Sequence, residues 1–108
     1  MHANPHRGDV ALTIDGEPQL LRLTLGALAA LEARLEAGSL IELAERFENG
    51  RITSAELTAL LAAGLAGSGS PMDEADLAKA EIEGGAVAAM RAGMELLGRA
   101  FAPLDGDT

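Results

Sequence analysis

Two short alternating stretches joined by Asp15-Gly16 constrain the fold of this chain more than any other feature. Apolar residues occupy every second position of residues 10–14, which is the period of a strand with one buried face. Asp15-Gly16 tolerates the positive φ angles that a tight hairpin turn requires. Pro18 has no amide hydrogen, so we place it at the start of the return strand or on a sheet edge. The pattern predicts a β-hairpin.

The apolar face of this hairpin predicts what the hairpin packs against. Two strands alone are only marginally stable in water, so they need another surface to cover their apolar side. We expect the helices that follow to supply it. The side chains with this structural role are Leu12, Ile14, Leu21 and Leu23. An edge strand would remain available for pairing, as a surface for self-association.

Beyond the hairpin the apolar residues recur at helical spacing. Thr24 is a candidate N-cap for the first helix. Ser39 and Thr53 each have a glutamate three positions later, at Glu42 and Glu56, so both predict capping boxes that begin a helix. Gly38, Asn49-Gly50 and the stretch 67–71 predict the breaks between these helices.

The last third predicts two more helices. Ser70 or Asp73 is a candidate cap for the first of them, with Leu77 and Ile82 as its apolar contacts. Gly84-Gly85 interrupts the pattern, and a final helix is expected over about residues 86–101. Its large apolar residues follow alternating three- and four-residue steps: Val87, Met90, Met94, Leu97 and Phe101.

This apolar row has two interpretations. A row at this spacing is usually the core-facing side of an amphipathic helix. Alternatively, Met90, Met94 and Leu97 contact a partner, because methionine makes an adaptable apolar surface for a partner helix. Small residues on the same helix would let that partner approach closely: Ala88, Ala89, Ala92 and Gly93.

These elements predict an α+β, mainly α fold, in which an N-terminal β-hairpin precedes a bundle of four to five short helices. At 108 residues the chain is expected to form one domain over residues 1–108, with flexible ends at residues 1–7 and 102–108. The core must be aliphatic, because two phenylalanines are the only aromatic residues.

Charge and composition exclude several functions. The formal net charge is −9, whereas nucleic acids and acidic membrane surfaces attract basic proteins. We therefore expect neither as a partner. The chain has no cysteine, no apolar run long enough to span a bilayer, and a polar start unlike a signal peptide. A soluble, cytoplasmic protein is expected.

No residues with a catalytic, cofactor-binding or metal-binding pattern emerge. His2 and His6 are the only histidines, and they lie near the N-terminus without a third ligand nearby. Asp105-Gly106-Asp107 resembles part of a calcium loop, but the remaining ligands are missing. Serine, threonine and aspartate have no histidine in a structured region to act as their base. We expect a protein that is not an enzyme.

Short motifs, specific in their order and spacing, give the chain a family resemblance over residues 3–101. These motifs are residues 4–12, 23–28, 31–32, 43–47 and 82–85. In this respect the chain resembles the small tail proteins of phages and gene transfer agents. Such proteins are described both as tail assembly chaperones and as tail tube components.

The resemblance implies a role in virion assembly, either in a gene transfer agent or in a prophage. A chaperone of this family would bind the apolar, helix-rich tape measure protein and assist assembly of the major tail tube protein along it. The resemblance also implies a homo-oligomer, in the form of rings or helical coats. A tube subunit instead needs long sheet segments, and this chain offers one short hairpin. We therefore favour the chaperone, with a tube component or a small cytoplasmic adaptor as alternatives.

Overall fold

The structure, a computed structural model, describes residues 9–35 and 40–101. Its strands are β1 (Val10–Ile14) and β2 (Glu17–Leu21). Its helices are α1 (Leu25–Leu35), α2 (Leu40–Glu48), α3 (Ser54–Gly67), α4 (Glu74–Lys79) and α5 (Gly85–Phe101). The predicted α+β, mainly α class is confirmed. The predicted flexible ends and the predicted signals at Gly38 and Ser39 lie outside the described residues.

The hairpin forms as its sequence predicts. Strands β1 and β2 pair antiparallel, with Val10 opposite Leu21 and Pro18 opposite Thr13. Asp15 and Gly16 connect them with φ angles of 51° and 82°, the left-handed values of a two-residue hairpin turn. The buried face of β1 and the fully buried Leu21 point into the core.

Helix α3 is the centre of the helical body. It contacts α1, α4, α5 and β2, and its leucines at positions 60, 61 and 65 are buried. The predicted capping box begins it: the Glu56 amide donates to Thr53 Oγ1, and the Thr53 amide donates to the Glu56 carboxylate, both at 3.0 Å. A helix surrounded on several sides must be apolar on several sides, as α3 is.

Two glycines let β2 and the segment after it lie directly against α3. A Cβ atom added at Gly64 would sit 2.9 Å from the Cβ of Leu21. One added at Gly67 would collide with the carbonyl oxygen of Arg22. The Arg22 amide also donates to the Gly64 carbonyl at 2.9 Å. The hairpin is therefore fixed to α3 by backbone contact as well as by apolar packing.

The outer edge of β1 is partly occupied, which corrects two expectations. Ile82 pairs with Ile14 in an antiparallel bridge, whereas the sequence suggested that Ile82 lies on a helix. Helix α4 ends at Lys79, before this residue. The Glu83 amide donates to the Thr13 carbonyl at 3.0 Å, beside the bridge. This end of β1 is therefore not available for pairing with another strand.

The other helix ends described below lie where the sequence predicted them, with one difference in capping. The Ala27 amide donates to Thr24 Oγ1 at 3.1 Å, which confirms the predicted cap of α1. Gly50, at a φ of 69°, ends α2, where its amide donates to the Phe47 carbonyl. Asp73 occupies the N-cap position of α4, but its side chain makes no capping hydrogen bond.

Candidate partner-binding groove

One face of α5 presents large apolar side chains to solvent. Val87, Met94 and Phe101 are spaced seven residues apart and are 68%, 54% and 46% exposed. Residues at this spacing lie on nearly the same side of a helix. The apolar row predicted from the sequence therefore exists, but its outermost members do not pack in the core of the chain.

The core interpretation of the row holds for Leu97, which is buried, and for Met90, which packs against the core, but not for the three exposed members. The buried side of α5 consists mainly of small residues: Ala89, Ala92, Gly93, Leu96 and Leu97. An added Cβ at Gly93 would lie 2.8 Å from the ring of Phe47 and 3.0 Å from Leu57. The small residues thus admit other parts of this chain, whereas we expected them to admit a partner.

The predicted partner contacts are divided between surface and core. Met94 is exposed, Met90 is half-buried at the margin of the core, and Leu97 is buried with 4% exposure. Met94 and Leu97 both line one groove, while Met90 does not. Partner contact by these three residues stays a prediction, and the placement makes Met94 the most accessible of them.

An open apolar groove separates α2 from the C-terminal half of α5. Its volume is about 280 Å³. Helix α2 contributes Ala44, Phe47 and Glu48, and α5 contributes Met94, Leu97, Gly98 and Phe101. The sequence patterns of α2 and α5 do not indicate that the two helices are neighbours. The groove between them could therefore not be predicted from the sequence.

The α2 wall of the groove is held in place by contacts at the end of that helix. Arg46 forms an ion pair with Glu56, the glutamate of the capping box that begins α3. The Arg51 amide donates to the Arg46 carbonyl at 2.8 Å, which completes the turn after α2. Phe47 packs beneath Gly93 of α5. Together these contacts hold one wall of the groove against α3 and α5.

Two ion pairs support the fold electrostatically, one at the end of α2 and one at the start of the hairpin. The hydrogen bond from the Thr53 amide holds the pKa of Glu56 below its usual value; burial opposes this effect and Arg46 reinforces it. Arg22 binds both carboxylate oxygens of the buried Asp9, with Nη2 donating to Oδ2 at 3.0 Å, and its pKa is raised by that hydrogen bond.

The hairpin residues singled out from the sequence do not line the groove. Leu12, Ile14 and Leu21 are buried, and Leu23 is half-buried against the same core. They therefore pack between the hairpin and the helical body and take no part in the groove.

Neither a metal cluster nor a membrane-spanning helix is found in the described ranges. Within residues 9–35 and 40–101, no group of three or more His, Asp or Glu residues could hold a metal ion. His2, His6 and Asp105-Gly106-Asp107 lie outside these ranges. In the same part of the chain, no helix is both long and apolar enough to cross a bilayer.

Comparison with known proteins identifies one family. The family described as phage tail tube protein, GTA-gp10, matches residues 7–103 of the chain. The match includes both strands, all five described helices and both walls of the groove. No curated protein and no solved structure matches the chain.

Proposed function

We propose a function from one premise: the chain belongs to the family described as phage tail tube protein, GTA-gp10, and so is a tail protein of a phage or gene transfer agent. Within tail assembly, we propose that it acts as a chaperone. It would bind the tape measure protein, keep that protein soluble, and assist the major tail tube protein to polymerise along it.

The open groove between α2 and α5 is the observation that carries this proposal. Phe47 and Leu97 form its apolar floor, while Met94 and Phe101 remain about half exposed at its rim. Burying such side chains against a partner is favourable by roughly 25 cal/mol for each Å² removed from water. A groove between two helices is also a common site for an amphipathic helix of another protein. The tape measure protein is expected to be rich in such helices.

The small sheet supports a chaperone more than a structural subunit. Each strand has five residues, and the outer edge of β1 is already bonded to the segment around Ile82. On β2, Pro18 cannot donate a hydrogen bond to a further strand. A tube subunit would need sheet edges that continue around a ring, and these edges favour no such continuation.

The tube component is the second candidate, and it is favoured by the description of the family as a phage tail tube protein. Under this alternative the chain would remain in the finished particle in stoichiometric amounts. The third expectation, an adaptor unconnected with tails, loses its support because the family is a tail family. The chaperone proposal contains no catalytic step, so it keeps the expectation that the protein is not an enzyme.

Two measurements test the chaperone proposal. Co-expression with the tape measure protein encoded alongside it should raise the soluble amount of that protein, and the two should co-purify. Purified mature particles should lack this chain when examined by quantitative mass spectrometry. Stoichiometric, ring-forming amounts in the particles would instead establish the tube component.

A further inference from the structure

We propose that the groove between α2 and α5 selects an amphipathic helix whose apolar face is flanked by Lys or Arg. This inference rests on the proposed function, because it specifies the kind of tape measure segment that the groove binds. It goes beyond that function by assigning a charge to the partner and a selecting role to α2.

Acidic side chains form the solvent-facing rim of the α2 wall. Glu48 lines the groove itself, and Glu45 is exposed one turn before it. Ile41 is 64% exposed and lies one turn before Ala44 on the same side of α2. A helix in the groove would therefore have apolar contacts in the middle and carboxylates along one flank.

The opposite flank of α5 carries no comparable charge of one sign. A second groove separates α5 from β1, and its charged residues are Glu83, Arg91 and Glu95. An arginine lies with the two glutamates there, so the charge of that groove is not of a single sign. Among the described grooves beside α5, the one bordered by α2 combines an apolar floor with charge of a single sign.

Charge also argues against two other occupants. A second copy of this chain would bring its own glutamates and a net charge of −9 towards the same acidic rim. The last seven residues of the chain include Asp105 and Asp107 with one large apolar residue, Leu104. Both occupants place like charges side by side, which opposes association. A basic flank avoids this repulsion.

The test compares two helical peptides of equal length as probes. Both carry the same row of leucines; one has lysines beside this row and the other has glutamates. Binding of each labelled peptide to the full chain is measured by fluorescence anisotropy. We expect the lysine peptide to bind at least about tenfold more tightly, with a preference that weakens as salt is added.

Charge reversal on α2 provides the decisive variant. Glu45→Lys with Glu48→Lys should abolish or invert the preference for the lysine peptide. Glu17→Lys with Glu32→Lys makes the same change in net charge on exposed residues outside the groove. This matched control should keep the wild-type preference. Circular dichroism on both double variants verifies that the helices are retained.

The outcomes separate this inference from the proposed function. Equal binding of both peptides, binding of neither, or an unchanged preference after reversal on α2 would overturn the inference. If the tape measure protein still co-purifies with the wild-type chain, the chaperone proposal stands in each of these cases. A wild-type dimer that Met94→Glu dissociates would show a second copy in the groove, and would also overturn the inference.

Discussion

The contact between the hairpin and α3 is tightly packed, whereas the groove between α2 and α5 is open. On the hairpin side Leu21 has no exposed surface, and Gly64 leaves no room for a Cβ atom against it. In the groove, Met94 and Phe101 keep about half of their surface in water. Side chains of similar apolar character thus have different roles: Leu21 is part of the core, whereas Met94 and Phe101 present accessible apolar surface at the groove.

The largest expected change in stability comes from a substitution at the contact between the hairpin and α3. Leu21→Ala should lower the free energy of unfolding by about 2–5 kcal/mol, because a fully buried leucine is replaced by a cavity. Urea denaturation measures this loss. Leu25→Ala is the matched control, since Leu25 is 85% exposed and its truncation should change stability by less than about 0.5 kcal/mol. A loss for Leu21→Ala no larger than that for Leu25→Ala would contradict the tight packing of the hairpin against the helices.

Alanine substitutions at two separate glycines should change the stability of the fold in opposite directions. Gly64→Ala should destabilise the fold by about 1–3 kcal/mol, because the new methyl group overpacks the contact with Leu21 and Leu96. Gly98→Ala should stabilise it by about 0.5–1 kcal/mol, because Gly98 is helical and has open space around its Cβ position. Thermal and urea unfolding check both values. A stabilising Gly64→Ala would contradict the close contact of hairpin and helix.

The ion pair that fixes α2 should produce a smaller, pH-dependent effect. The pKa of Glu56 is lower in the fold than its usual value, so its carboxylate stabilises the fold at neutral pH. That contribution disappears as the pH falls through the folded pKa. Glu56→Gln should therefore cost about 0.5–1 kcal/mol near pH 7, since the ion pair with Arg46 is lost while a capping amide remains.

The measurement for this prediction is the stability difference between wild type and Glu56→Gln across the acid range. The two stabilities should converge as the pH is lowered. A difference that stays constant with pH would mean that the carboxylate is not the source of the effect.

The sequence predicted the elements whose signals are local. Asp15-Gly16 defines its turn through φ, and Thr53 with Glu56 defines a helix start through hydrogen bonds three residues apart. Ile82 was placed wrongly because its partner, Ile14, is distant in the sequence. A bridge between distant residues leaves no local pattern.

The two faces of α5 show a second limit of the sequence pattern. Val87, Met94 and Phe101 had the size expected of core residues, but the close approach of Phe47 and Leu57 requires the small Gly93 on the core side. Size therefore misled the assignment of the faces. The prediction of Met94 as a partner contact came from its adaptable side chain, and only the position of α2 shows the groove beside it.

The most direct test of the account is the amount of tape measure protein that co-purifies with Met94→Glu. Because Met94 is exposed, this variant should keep its unfolding free energy within about 0.5 kcal/mol of wild type. Leu25→Glu places the same charge on an exposed leucine outside the groove. The account predicts that Met94→Glu loses most of the bound tape measure protein while Leu25→Glu retains it. Equal recovery with both folded variants would contradict a partner-binding role for the groove.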